Sequence, residues 1–489
     1  MAAVVVIGAG VGGLAAAARL AALGHRVRVV ERAATAGGKL GRLVQHTECG
    51  TFRFDTGPSL LTLPQVFADL FAATGSTLDG EVDLVRLDPI VRHVFPDGAV
   101  LDTCSDPASM AERIENLCGT RAAGDWRRLW RRAGRIFETS WRHVLQSPVD
   151  SPLAAARLAW RLPALATIAP GRTLRGLGRS YLIDPRLRML LDRYATYTGS
   201  DPRRAPAALA AILYAELRYG GWYVRGGLAM LADALLARCA AQGVTVELGT
   251  EALAIESAGG GVSGVRLAGG SIMAADVVLA NADAGTVYTR LWPDARRASR
   301  LSVRSLGGFL LLLGVRGRTA GTVHHTVTFP ADYDDEFDAI FGRPARPVPD
   351  PAIYVSVPDD PETAPHGYEA WHVLVNAPPH GVTSSSVDWD TPALAEAYAG
   401  SVLDTLASRG FDIRNRIVFR EILTPADLER STATPGGAIY GTPTHGLLRP
   451  PAKGPVRGMF LVGGSTHPGG GLPLAALSAE IAARRIGPG

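Results

Sequence analysis

Val4-Val5-Val6-Ile7 runs directly into Gly8-Ala9-Gly10-Val11-Gly12-Gly13, and an Ala- and Leu-rich stretch over 14–23 follows, closed by Gly24. A β-branched apolar run of this length suits a buried parallel strand, and alanine and leucine are strong helix formers. Residues 27–30 (Val-Arg-Val-Val) form a second such run, ending at Glu31. The whole is a strand–helix–strand unit, the setting in which a G-x-G-x-x-G pattern acquires a physical meaning. Gly8 permits the tight turn, Gly10 lets backbone approach a pyrophosphate, and Gly13 lets helix and strand pack closely. Free N–H groups and the dipole at the helix start favour an anion there. Glu31 is placed to accept hydrogen bonds from ribose hydroxyls, and an acid there disfavours a 2′-phosphate. The pattern predicts a dinucleotide-binding α/β fold; its rival is a glycine-rich turn in an unrelated α/β protein.

Working outward, 489 residues exceed one ordinary core, so two or three domains are expected. Hydrophobic residues at 47% and charged residues at 20% exclude a disordered chain. The net charge of +4, from 50 basic and 46 acidic residues, excludes a globally polycationic nucleic-acid binder, and no nucleic-acid partner is expected. That balance conceals a local excess: residues 121–193 hold fifteen arginines and five acids. Cys49, Cys104, Cys118 and Cys239 form no CxxC pair, so neither a structural zinc site nor a disulfide framework is expected, and a reducing compartment fits. Residues 2–23 imitate a signal peptide, but their glycines and Arg19 break that pattern. The apolar run 306–315 is too short to cross a bilayer, which takes about 20 residues.

Residues 105–220 read as mostly helical, with a further helix over 226–242. Strands are expected at 244–248, 252–256, 264–267 and 277–280, then at 309–315, 353–357 and 371–375. A last strand at 459–462 precedes a last helix at 474–486. Strand–glycine–helix signals at both ends predict a cofactor domain built from separated segments, 1–100, 223–300 and 441–489. A helical segment (101–222) and a substrate domain (301–440) lie between them. No solenoid repeat is visible.

Gly37-Gly38-Lys39 follows the acid closely and resembles the second fingerprint of flavoproteins in the amine oxidase and desaturase superfamily. Paired glycines allow backbone contact with a cofactor, and a basic side chain can meet phosphate; after Glu31 this favours FAD over NAD. Phe54-Asp55-Thr56-Gly57-Pro58-Ser59, with Leu60-Leu61-Thr62-Leu63-Pro64 after it, resembles the bacterial-type phytoene desaturase family of carotenoid enzymes. The stretch 460–473, Phe-Leu-Val-Gly-Gly-Ser-Thr-His-Pro-Gly-Gly-Gly-Leu-Pro, is similar to that family's closing signature. Arg193-Tyr194-Ala195-Thr196-Tyr197-Thr198-Gly199 and Gly221-Trp222-Tyr223-Val224-Arg225-Gly226-Gly227 resemble its internal signatures. In order and spacing the resemblance covers nearly the whole chain.

The resemblance implies an α/β, Rossmann-type FAD-binding domain of the amine oxidase and desaturase kind. It adds a discontinuous mixed α+β substrate domain and a helical, membrane-contacting segment. It implies non-covalent FAD held by Gly8, Gly10, Gly13, Glu31, Gly38 and Lys39, with Gly57 and Pro58 near the isoalloxazine. Ala252 would touch the adenine through backbone, and Gly464, Leu472, Pro473 and Leu474 would lie beside the ribityl chain and flavin ring. Gly464 departs from the wider superfamily, where many members carry an acid after the glycine, and agrees with the desaturase branch.

The implied activity is FAD-dependent oxidation of CH–CH groups: desaturation of a carotenoid polyene by hydride transfer to flavin, in carotenoid biosynthesis. Gly437-Ala438-Ile439-Tyr440-Gly441 and the Gly-Gly-Ser-Thr-His-Pro form of 463–468 look closer to enzymes acting on hydroxylated or end-modified carotenoids. An end-group oxygenase, an isomerase or saturase, an amine oxidase and a non-enzymatic prenyl or lipid binder stay open as alternatives. The terminal acceptor would be O2 or a quinone, and no metal is expected. A hydrocarbon carries no ionisable group, so the flavin does the hard step and the protein supplies a dry, shaped tunnel. Accordingly the chain holds no G-x-S-x-G element.

His467 is the candidate catalytic base by position; the competing reading is a histidine bonded to a loop carbonyl. Tyr194, Tyr197, Trp222 and Arg225 are candidate substrate-lining residues, against core packing for the tyrosines and a surface salt bridge for Arg225. His324 and His325 would face opposite ways on a strand, which argues against a metal pair. Asp332, Asp334, Asp335, Glu336 and Asp338 lack a calcium-loop spacing and read as a solvated loop or helix start. Within 153–182, Leu153, Leu158, Trp160, Leu162, Leu165 and Ile168 stand beside Arg157, Arg161, Arg172, Arg175 and Arg179. A basic, Trp-bearing amphipathic stretch predicts monotopic contact with an anionic membrane surface, on the cytoplasmic face of the cytoplasmic membrane.

Overall fold

In the computed structural model, residues 1–146, 166–445 and 449–489 are described. The opening motif folds as its sequence requires: strand Ala3–Ile7, helix Val11–Ala22 and strand Arg26–Val30. Ala3–Ile7 pairs in parallel with Arg26–Val30 on one side and Val277–Ala280 on the other. Thr245–Glu247 and Met459–Leu461 complete a five-stranded parallel sheet, in the order Met459–Leu461, Val277–Ala280, Ala3–Ile7, Arg26–Val30, Thr245–Glu247. Strands Ala3–Ile7 and Val277–Ala280 are apolar throughout because both faces are covered, one by helices and the other largely by the small antiparallel sheet over 252–274. Helix Val11–Ala22 is buried along most of its length and packs between helices Met230–Ala241 and Leu472–Ile486. A small antiparallel sheet, Ala252–Ala258, Gly261–Leu267 and Ile272–Ala274, attaches beside it.

The second layer is a seven-stranded mixed sheet, in the order Ile417–Leu423, Gly307–Arg316, Tyr368–Ala377, Ile353–Ser356, His325–Thr328, Arg92–Val94, Val100–Asp102. Gly307–Arg316 and Tyr368–Ala377 pair over ten residues, and the first is buried at every position but its last. The apolar run 306–315 is thus a central strand. Among the described residues no helix is long and apolar enough to cross a membrane. One boundary changes. Arg92–Val94 and Val100–Asp102, placed by sequence around the end of the first cofactor segment, join the substrate sheet, because Arg92–Val94 pairs in parallel with His325–Thr328. Helices Pro107–Cys118, Thr120–Ser140, Leu174–Tyr181, Pro185–Arg193 and Ala210–Tyr219 form the helical segment expected. Their core holds Trp126, Leu129, Leu177, Leu190, Leu191 and Leu213.

Candidate functional site

The site forms where the carboxyl ends of the parallel strands converge, the position at which open α/β sheets bind ligands. Gly8–Gly13 leaves strand Ala3–Ile7, Gly37–Lys39 lies beyond strand Arg26–Val30, Asn281 leaves strand Val277–Ala280, and Gly463–Gly464 follows strand Met459–Leu461. Side chains cannot be added there. A Cβ on Gly12 would sit 2.7 Å from Asn281 Oδ1 and 2.9 Å from Gly463 Cα; one on Gly13 would sit 2.1 Å from the Gly8 carbonyl oxygen. Gly8 itself is in the left-handed region (φ +98°) and accepts a hydrogen bond from Asn281 Nδ2 at 3.2 Å. Gly10 and Gly37 meet in a short β-bridge, and Gly38 lies against Gly10 Cα.

Helix Val11–Ala22 begins in this cradle with no side-chain cap and no acid in its first turn, and so does helix Leu472–Ile486. Two uncapped helix starts leave backbone N–H groups without partners and place positive dipole ends at one rim. Glu31 is fixed at the far edge: its carboxylate accepts from Ala9 N–H and Ala33 N–H, each at 2.8 Å. The Glu31 carbonyl accepts from Thr250 N–H at 2.7 Å, which brings Ala252 to the same edge. This donor set fits an elongated ligand with a diphosphate at its middle and a ribose at the Glu31 end.

The loop carrying Gly57 is pressed onto the cradle, where a Cβ on Gly57 would lie 1.8 Å from the Lys39 carbonyl oxygen. Asp55 anchors that loop by accepting from Leu228 N–H (2.7 Å) and Ala229 N–H (2.9 Å). Burial pushes its carboxyl up to about 6, against the pull of those two N–H groups. Lys39 does something its sequence setting did not foretell. Its ammonium donates to the carbonyls of Ala438 (3.0 Å) and Ile439 (2.6 Å), and burial pulls it down to about 8. It clamps the 435–441 loop over the site and points away from a phosphate role. Arg449 supports the same loop through the carbonyls of Tyr440 (2.9 Å) and Gly464 (3.0 Å).

Sequence reasoning missed Asn281, Asp283, Tyr440 and Arg449. Asn281-Ala282-Asp283 directly follows a recognised strand, and that position at a strand's carboxyl end was the available signal. Asp283 caps Gly285 N–H, and Ser465 Oγ accepts from Ala284 N–H, tying the loop after Val277–Ala280 to 463–471. His467 is buried in that loop, and its backbone N–H donates to the Pro450 carbonyl at 2.8 Å.

The substrate-lining candidates separate. Tyr194 is buried and donates to Glu216 at 2.8 Å, and Tyr197 accepts from Arg193 Nη1 at 2.8 Å. Arg225 is corrected: its guanidinium, 46% exposed, pairs with Asp83 at 2.8 Å on the surface and meets neither cofactor cradle nor tunnel. Trp222 donates its indole N–H to the Tyr219 carbonyl and lies under Arg86 at the molecular edge. His324 and His325 are close, with rings 4.4 Å apart, but each engages an aromatic neighbour: Tyr223 for the first, Tyr354 for the second. The acidic stretch opens helix Asp334–Phe341, where Asp334 and Asp338 pair with Arg175 and Arg203. Glu336 turns inward and is held by Ala352 N–H and Asn376.

Fold and cradle together define a dinucleotide-binding flavoprotein oxidoreductase. Residues 11–307 match the family described as flavin containing amine oxidoreductase. The chain is 30% identical to a 4,4'-diapolycopene oxygenase from Methylomonas, covering 99% of this chain and 97% of that one. It is 35% identical to a hydroxyneurosporene desaturase from Rhodobacter capsulatus, with the same coverages of 99% and 97%. A solved oxidoreductase from Methanosarcina mazei shares the fold at a TM-score of 0.63 and 17% identity, covering 98% of this chain and 99% of that one. The chain belongs to the flavin containing amine oxidoreductase family, and its cofactor is FAD.

Proposed function

We propose that the protein is an FAD-dependent desaturase of carotenoids, acting on a hydroxylated or otherwise end-modified polyene. The observation that carries this reading is the uncapped glycine cradle, in a chain that aligns end to end with carotenoid desaturases and oxygenases. In the reaction two C–H bonds on adjacent carbons break and one C=C bond forms; a hydride and a proton leave. FAD, when bound, supplies the two-electron acceptor, and O2 or a quinone would reoxidise it. The Gly8–Gly13 backbone and the start of helix Val11–Ala22 would hold the diphosphate, Glu31 the ribose, and Gly57, Pro58 and Gly464 the ring system. Lys39 and Arg449 close the 435–441 loop, which excludes water from the reacting carbons.

Membrane contact is the second part of the proposal. Leu153, Leu158, Trp160, Leu162, Leu165, Arg157 and Arg161 lie outside the described residues. Arg175 does not serve: it is half-buried between Asp192 (2.9 Å) and Asp334, in a structural ion-pair cluster. The supporting surface is helix Thr120–Ser140 and the turn after it. There Arg131, Arg135 and Arg142 are exposed without an ion-pair partner among the described residues, beside an open groove of about 470 Å³ that Trp130 and Tyr214 line. Exposed cations around a half-buried tryptophan suit an anionic bilayer surface.

The test is anaerobic flavin bleaching of the FAD-loaded protein by a panel of hydroxylated acyclic carotenoid, its hydrocarbon parent, phytoene and a primary amine. Bleaching by the carotenoids is expected; bleaching by the amine alone would overturn the proposal.

A further inference from the structure

A carotenoid body asks only for an apolar tunnel, yet one wall beside the flavin loop is strongly polar. Ser59 directly follows Gly57-Pro58, and its Oγ lies 2.6 Å from the Tyr354 hydroxyl. That hydroxyl lies 2.8 Å from His325 Nδ1. Arg193 stands over the Tyr354 ring at 5.8 Å and over the Tyr197 ring at 5.1 Å. Arg193 is 8% exposed, and among the described residues its guanidinium uses one of its five N–H donors, on the Tyr197 hydroxyl. No carboxylate among the described residues lies within ion-pair distance of it. Nearby, Glu216 Oε2 and His325 Nε2 are buried without partners.

Unspent guanidinium donors are costly to bury unless something accepts from them, at about 1–3 kcal/mol for each unmet buried group. Tyr197 and Tyr354 each retain some accessible surface. Leu60 and Ile212 edge the same apolar cluster as Tyr354, so the polar wall adjoins an apolar one.

We infer that Arg193, Tyr197, Tyr354 and Ser59 form a seat for a hydroxyl or carbonyl oxygen on the end of the polyene, and that this seat selects which bond reacts. The inference rests on the carotenoid reading above and adds a residue-level basis for end-group choice. Because Ser59 adjoins the residues expected at the flavin, an oxygen held there leaves only a few carbon–carbon bonds between itself and the reacting carbons. Reaction then falls near the oxygen-bearing end and not at mid-chain.

The experiment compares a hydroxylated acyclic carotenoid with its hydrocarbon parent on the FAD-loaded protein. It measures kcat/KM by anaerobic flavin bleaching and locates the new double bond by mass and NMR analysis of the product. The wild type is expected to prefer the hydroxylated substrate at least tenfold, since a site built to hydrogen-bond an oxygen rejects the analogue lacking it. Tyr354→Phe, which keeps the ring, and Ser59→Ala are expected to lower that ratio at least tenfold, and Arg193→Met further. Equal use of both substrates by the wild type, or an equal fall on both in Tyr354→Phe, would overturn the inference. Loss of FAD from Tyr354→Phe would overturn it too, by assigning the polar wall to the cofactor. If neither carotenoid bleaches the flavin, the failure lies with the carotenoid reading itself.

Discussion

Consider Gly12→Ala. The added Cβ would lie 2.7 Å from Asn281 Oδ1, 2.9 Å from Gly463 Cα and 3.0 Å from Gly463 N, all shorter than ordinary contact. Two of the three obstacles are backbone of the loop after Met459–Leu461, so rotating a side chain cannot relieve them. Overpacking of this kind costs about 1–3 kcal/mol. In the free protein only a small shift of the Gly8–Gly13 turn away from Gly463 is needed to relieve the contacts, and the better helix propensity of alanine returns about 1 kcal/mol. A bound diphosphate would hold that turn in place, so the strain would then be felt in full. Thermal stability should therefore change little while the Kd for FAD rises about 5- to 150-fold. Titration of the apoprotein followed by quenching of flavin fluorescence measures it. Gly24→Ala is the control: unlike Gly12 it has a positive φ (+89°), but its Cβ would meet only the Gly489 carbonyl, at 3.9 Å. It should cost stability without touching the Kd. Adding Asn281→Ala to Gly12→Ala should recover part of the loss, because one of the two obstructing residues is removed. An unchanged Kd in Gly12→Ala would refute the placement of the diphosphate on the Gly8–Gly13 turn.

Other consequences are equally checkable. Arg175→Met leaves Asp192 buried without its partner and should cost about 3–5 kcal/mol at neutral pH. Burial already holds Asp192 at about 6 with its partner present, and loss of Arg175 raises it further, so the deficit in urea unfolding should shrink as pH falls toward 6 and be smallest below it. Asp55, raised to about 6 from 3.8, adds stability below pH 3.8 that is lost as pH rises through 6. The difference in unfolding free energy between wild type and Asp55→Asn should therefore vary across pH 4–6 and flatten above it. Replacing Arg131, Arg135 and Arg142 together with glutamine should remove about 1 kcal/mol of anionic-vesicle affinity per site, over 100-fold in all. Flotation on vesicles at two salt concentrations reads that loss, and unchanged binding would remove helix Thr120–Ser140 from the interface.

The cofactor cradle was largely readable in one dimension because its determinants are local. Gly8, Gly10, Gly13 and Glu31 lie within one strand–helix–strand unit, where spacing alone places them in space. Gly464 and the helix after it were readable for the same reason. Lys39 was not, since its partners Ala438 and Ile439 lie 399 and 400 residues away, and nothing near Lys39 announces them. Arg225 misled because a family-like string around it carried over a role that a neighbouring acid, Asp83, takes away. Strands Arg92–Val94 and Val100–Asp102 are three residues each, too short to show period-2 alternation, and only the pairing of the first with His325–Thr328, and of the second with the first, assigns them. The polar wall draws on three distant stretches of chain: Ser59, Arg193 and Tyr197 lie in motifs visible in the sequence, but nothing there joins them to one another or to Tyr354.

The order of strands in the parallel sheet also bears on how a ribosome makes this protein. Met459–Leu461 comes last in the chain, yet it covers Val277–Ala280 and supplies the Gly463 wall. Until that segment emerges, the Val-Val-Leu-Ala edge of a half-built sheet lies open, a template for pairing with other nascent chains. Cofactor capture must then wait for nearly the whole polypeptide. A yellow, flavin-loaded molecule is thereby one whose translation ran to the end, and truncated products are left apo, sticky and open to proteolysis.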